Sequence, residues 1–194
     1  MAYFWNLIPG KSYTADDFKI KTLVSDCDYD GDGIDDYRDI MEGARKHIKT
    51  KPKYDGSYHE GGYPPEGVGV CTDVIWKGFK NAGYSFKDLV DTDISENLEA
   101  YTTIDTPDPN IDFRRVKNLK IFFARNAESL TLDPNEIEQW QPGDIVIYSK
   151  HIAIVSDKRN SKGQAYIIHH GGQPILEEDA LTRQNIVGHY RWTK

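Results

Sequence analysis

Two groups of residues in this chain have the types and spacing to do chemistry. One is a cysteine placed where a loop turns into a helix. The other is a set of carboxylates alternating with glycines. Cys71 follows a stretch, 53–70, that contains Gly61, Gly62, Pro64, Pro65, Gly67 and Gly69. A run this rich in glycine and proline does not extend a helix or strand. After it, Val74, Ile75, Phe79 and Ala82 recur at helical spacing, and Gly83 supplies a stop. The sulfur is therefore expected at a helix N-terminus, where unpaired N–H groups and the macrodipole favour the reactive thiolate. Asp73, in the first turn, would oppose a nearby thiolate and is expected to point away toward the loop.

A thiol nucleophile needs a base, and the base needs a partner that fixes its tautomer. The chain has six histidines. His47 falls late in an amphipathic helix and reads as a surface residue. His59 falls in a loop, and His189 reads as a hydrogen-bonded core residue of the last strand. His151 begins a strand directly after a turn, so its ring can reach the edge of a cleft. His169 and His170 end the following strand, which should pair with the His151 strand. Paired strands bring side chains to within about 5 Å of one another. One of the two could then receive the second ring N–H of His151.

The acidic segment runs Asp28-Tyr-Asp30-Gly-Asp32-Gly-Ile34-Asp-Asp36. Calcium is a hard cation that takes oxygen ligands, and loops of this kind supply them at positions 1, 3, 5, 7, 9 and 12. Counting from Asp28 gives Asp28, Asp30, Asp32, the carbonyl of Ile34, Asp36 and Asp39, with Gly33 at the sharp turn. Counting from Asp26 would put Tyr37 at position 12, a poor ligand, so the Asp28 register is preferred. Position 12 is Asp rather than Glu, and the apolar residue sits at 7. The loop resembles the calcium turns of thrombospondin-type repeats more than a standard EF-hand. The expected cofactor is a structural Ca2+.

The elements that must position these residues can be read from periodicity. Tyr37, Ile40, Met41, Ala44 and Ile48 predict a helix over 37–48, stopped near Pro52. Further helices are expected from Cys71, over about 86–99 and over about 115–128. The last third changes to short β-branched and aromatic runs at 144–149, 151–157, 165–170 and 186–192. Helices followed by a meandering antiparallel sheet predict an α+β fold. Residues 1–36 read as an N-terminal extension and 37–194 as the domain. Met1 to Gly10 is apolar and aromatic, and reads equally as a segment docked on the core or as the stub of a leader or anchor.

Composition narrows the field. With 24 Lys+Arg against 31 Asp+Glu, the net charge of −7 lacks the basic footprint of a nucleic-acid or anionic-lipid binder. No apolar run reaches the ~20 residues of a membrane span. Two cysteines, Cys27 and Cys71, are too few for a disulfide framework.

Several motifs, in order, resemble a known superfamily: Tyr58-His-Glu-Gly61-Gly62, Cys71-Thr-Asp73, His151-Ile-Ala-Ile154 and Ile168-His169. They are similar to the NlpC-type papain-like cell-wall cysteine peptidases. The branch they resemble most is the bacterial family called domain of unknown function 1287, through GGYPPEGVGVCTDVIWKGFKNAGY, NIDFRRVKNL, PGDIVIY, HIAIVSDKRN and GHYR. The resemblance runs from about residue 37 to the C-terminus. It implies a papain-like core with Cys71 as nucleophile and His151 as general base. His169 would be the orienting third residue, and Tyr58 the loop tyrosine beside the cysteine. The Cys71 N–H would contribute to an oxyanion hole. The substrate would be a peptide amide of bacterial peptidoglycan, and the protein would be exported. Val70 stands where that superfamily has Asp, and Thr72-Asp73 where it has Ser-Gly. An acyltransferase on the same scaffold, or a non-catalytic calcium-stabilised binding module, are the alternative readings.

Overall fold

A computed structural model describes residues 11–174 and 176–194. The reading of Met1–Gly10 as docked segment or leader stub lies outside the described residues. Helix α1 spans Asp36–Lys49, capped by Asp35, and buries Ile40, Met41, Ala44 and Ile48 along one face. It ends where Lys51 takes a left-handed conformation ahead of Pro52. The two-residue strands β1 (Lys53–Tyr54) and β2 (Val68–Gly69) then pair in parallel. Helix α2, Cys71–Asn81, follows directly. It closes with Gly83 at φ 80°, while the Tyr84 N–H returns to the Phe79 carbonyl at 2.9 Å. That is a Schellman stop, and it matches the expected one.

Helices α3 (Phe86–Glu96) and α4 (Val116–Asn126) are shorter than the sequence predicts. The remaining strands are β3 (Glu128–Ser129), β4 (Ile145–Tyr148), β5 (Ile152–Arg159), β6 (Ala165–Ile168), β7 (Glu177–Glu178) and β8 (Ile186–Arg191). They form an antiparallel sheet ordered β3-β8-β4-β5-β6-β7. Strands β4 to β7 meander as expected, whereas β8 returns to pair with β4 on the far side.

The architecture is α+β, with both sheet faces covered. Ile145, Ile147, Ile152 and Ile154 join the core formed with the helices, while Val146, Tyr148, Ala153 and Val155 pack with Trp140 and Leu181 on the other face. Helix α2 lies between α1 and β5. A Cβ at Gly78 would come within 2.7 Å of the Ile40 carbonyl oxygen and 2.9 Å of Ile154, so only glycine permits this approach. The ends of the sheet are fixed by buried Asp144, which accepts from Arg191 at 2.8 and 2.7 Å and lies 3.0 Å from His189. The PGD and GHYR motifs are thus two halves of one structural ion pair. The N-terminal extension is joined to the domain by backbone pairing of Tyr13 with Arg159.

Candidate functional site

The start of α2, the start of β5 and the end of β6 meet along one seam. Cys71 is the first residue of α2 and is 7% exposed. The backbone N–H groups of Ile152 and Thr72 favour the charged form of its sulfur, against burial. Ile152 directly follows His151, so the sulfur lies toward the start of β5.

From His151 a hydrogen-bonded chain runs inward. His151 Nε2 is 2.7 Å from His169 Nδ1. His169 Nε2 is 3.1 Å from Glu178 Oε1. Arg183 in turn donates to both oxygens of Glu178, at 2.7 and 2.6 Å. The amide nitrogen of Gln173 also lies 3.0 Å from His169 Nε2. The two neighbours demand opposite tautomers, and the carboxylate decides, because a bond to a charged acceptor is roughly twice as strong as a neutral one. Burial would raise the Glu178 carboxyl, but bonds from His169 and Arg183 outweigh it and hold it below the ordinary value. His169 Nε2–H therefore donates to Glu178, Nδ1 accepts from His151 Nε2–H, and the His151 lone pair is left at Nδ1.

Burial drives the Cys71 thiol and the His151 imidazole toward their neutral forms. It pushes the Cys71 thiol up to about 11, against the opposing N–H groups of Ile152 and Thr72. Burial thus opposes the thiolate expected from the helix terminus. A rise from 9.0 to about 11 corresponds to about 3 kcal/mol. A helix terminus contributes typically about 0.3–1 kcal/mol. Burial also lowers His151 to about 3, with His169 and His170 adding to the effect.

Asp73 is wholly buried. It does reach back to the loop, accepting the Val70 N–H at 2.7 Å, and it also binds Trp76 Nε1 at 2.7 Å. Arg114, almost equally buried, takes both its oxygens at 3.0 Å and also donates to the Ser57 carbonyl at 3.3 Å. A buried ion pair thus staples the loop before Cys71 to the helix that carries it.

Tyr58 does not take the position the resemblance implies. It is 56% exposed, and its hydroxyl accepts from Asn110 at 2.8 Å and lies 3.3 Å from Asp108. Its loop is drawn to that segment by the Gly61 N–H bond to Asn110 at 3.0 Å. The phenol of Tyr54, on β1, is raised chiefly by burial. His170 packs edge-on to Tyr54 at 5.2 Å. His47 is half-buried rather than a surface residue. Its Nε2 would lie 3.4 Å from a Cβ at Gly69, and burial lowers it to about 4. Beyond Tyr54 and His170 opens a groove of about 740 Å3, bordered by Lys49, Lys51, Lys53 and Leu176.

The acidic segment folds around its own carboxylates. Asp28 accepts the N–H groups of Gly31, Asp32 and Gly33, and Asp32 accepts that of Ile34. Oxygens of Asp28, Asp30 and Asp32 lie within 4.8 Å of one another. Asp36, expected as a ligand, turns inward instead, accepting from the Tyr84 hydroxyl at 2.5 Å and the Tyr29 N–H at 2.9 Å. As the first residue of α1 its side chain is fixed by the aromatic pair Tyr29–Tyr84, stacked at 4.1 Å.

Sequence reasoning missed Glu178, Arg183, Gln173, Tyr54 and Arg114. Glu178 sits on a two-residue strand, too short for periodicity to reveal. For Arg114 the pairing with Asp73 carried no sequence signal, being 41 residues distant.

With fold and geometry in place, the chain can be assigned to a family. It belongs to the family described as a domain of unknown function (DUF1287), whose sequence profile matches residues 41–192. That span includes Cys71, His151, His169 and Glu178, while Asp28, Asp30, Asp32 and Asp39 precede it. The chain is 34% identical over 165 residues to the uncharacterized protein YijF of Escherichia coli (strain K12), covering 79% of this chain and 80% of that protein. No solved structure matches it. Among the described residues, no helix is long and apolar enough to cross a membrane.

Proposed function

We propose that the protein is a cysteine-dependent amide hydrolase with a papain-like core of the NlpC type, acting on peptides of bacterial cell-wall material outside the cytoplasm. One observation carries the reading. A carboxylate-anchored pair of imidazoles, Glu178–His169–His151, ends one residue before Ile152, whose backbone N–H acts on the Cys71 thiol. A structural histidine needs one partner. Here three ionisable groups are lined up to leave a lone pair at a defined ring nitrogen of His151.

The resting pair is a neutral thiol and a neutral imidazole. As the sulfur attacks an amide carbonyl, a C–S bond forms and the thiol proton passes to His151 Nδ1. The carbonyl oxygen takes up negative charge that N–H groups at the α2 terminus can stabilise. The imidazolium, stabilised by His169 and Glu178, gives its proton to the amine as the C–N bond breaks. Water, deprotonated by His151, then releases the acid from the thioester and returns the thiol. The lysine-bordered groove beside Tyr54 suits a substrate bearing free carboxylates, as peptidoglycan stem peptides do.

The test is hydrolysis of peptidoglycan-derived peptides, followed by the appearance of new amines. The wild type should release them, and Cys71→Ala should not while keeping the wild-type melting temperature within a few degrees. Equal release by Cys71→Ala would overturn the reading. Transfer of the acyl group to an added amine in preference to water would favour an acyltransferase.

A further inference from the structure

The acidic loop contains more than a ring of exposed carboxylates. Asp39, one turn into α1, is 2% exposed. One of its oxygens is bonded by the Asn81 amide, while Oδ2 is buried with no hydrogen-bond partner. A buried carboxylate oxygen without a donor is strongly disfavoured unless something else compensates it. Asn81, which holds Asp39, lies two residues before Gly83, where a Cβ would stand 2.7 Å from that of Asp30, so Asp39 and the loop cluster meet at the same end of α2. Lys46, the basic residue nearby, is engaged with the Asn81 side-chain oxygen at 2.8 Å.

We infer that Asp28, Asp30, Asp32 and Asp39 form a binding site for one Ca2+ ion, with the orphaned Asp39 oxygen as the ligand contributed by the helix. Four carboxylates meet the charge demand of a hard divalent cation. Oxygens on opposite sides of calcium stand up to about 5 Å apart, since each lies about 2.3–2.6 Å from the ion. The loop cluster, within 4.8 Å, has that span.

The site has a mechanical role. Asp39 holds Asn81, the last residue of α2, and a Cβ at Gly83 would meet that of Asp30 at 2.7 Å. An ion here fastens the loop to α1 and to the C-terminal end of α2, where a positive charge also suits the helix macrodipole. It stiffens from behind the helix whose other end bears Cys71.

The experiment is thermal unfolding of the full chain with calcium chloride, magnesium chloride or a chelator, together with calcorimetric titration of calcium. At a hundredfold excess over Kd, calcium should raise Tm by about 5–10 °C. Asp30→Asn, on the exposed loop, should weaken calcium binding at least tenfold, and exposed Asp105→Asn should leave it unchanged. Asp39→Asn should abolish the calcium response while raising Tm in chelator, since it removes an uncompensated buried charge. No shift with calcium at 10 mM, an equal shift with magnesium, or a full response in Asp30→Asn or Asp39→Asn would each overturn the assignment. Because the readout is stability, the outcome is independent of hydrolytic activity.

Discussion

Arg114→Met removes one partner of the ion pair at the start of α2 and leaves its length and apolar stem nearly unchanged. Asp73 then keeps the Val70 N–H and Trp76 Nε1 but loses both guanidinium bonds, each 3.0 Å long. Breaking a buried pair in this way costs about 3–5 kcal/mol, because the surviving charge stays desolvated. For a domain of this size each kcal/mol moves Tm by about 2–4 °C, so the variant should melt about 6–20 °C below wild type. The loop carbonyl of Ser57 also loses its donor, so limited proteolysis should cut first near 55–62. A double-mutant cycle isolates the pair. Asp73→Leu with Arg114→Met removes both charges, and the double variant should cost no more than the worse single change. The measurement is chemical unfolding of all four proteins. A loss below about 1 kcal/mol for Arg114→Met, or strict additivity, would refute the view that this pair locks the α2 terminus.

Two further outcomes follow from the buried imidazole and thiol. His151 is held neutral, its value depressed from 6.5 to about 3, so its contribution to stability is present above pH 6.5 and fades as pH falls toward 3. At pH 5 the loss is about 2 kcal/mol. Urea midpoints at pH 7.5 and 5.0 should therefore fall further apart in wild type than in His151→Gln, and equal differences would contradict the assignment. Iodoacetamide labelling of Cys71, followed by mass spectrometry, should rise only above about pH 9, beyond the free-thiol range of ~8.5. A labelling rate already at its plateau at pH 7 would instead reveal a preformed thiolate–imidazolium pair.

The sequence made the broad layout legible for physical reasons that can be traced residue by residue. Glycines and prolines before Cys71 and the apolar repeat after it left little choice but a helix starting there, and α2 does. The strands carrying His151 and His169 pair with Ile154 opposite Ile168, the neighbourhood their spacing suggested. What escaped was whatever depends on tertiary burial. The helix terminus argued for a thiolate, but the depth of the sulfur is set by the whole seam and dominates. Tyr58 matched a motif, yet its loop is drawn toward Asn110. Glu178 lies in an acidic pair that reads as a solvated turn until β7 aligns it with His169. Alternating aspartates gave the loop cluster, while the inward turn of Asp36 depended on a tyrosine 48 residues away.

The depth of the Cys71 sulfur has a bearing on endurance. Oxidants attack thiolates far faster than thiols, and they need access. A sulfur kept protonated and 7% exposed resists sulfenic acid formation. In an oxygenated surrounding such a thiol would stay reduced for longer than one held permanently ionised.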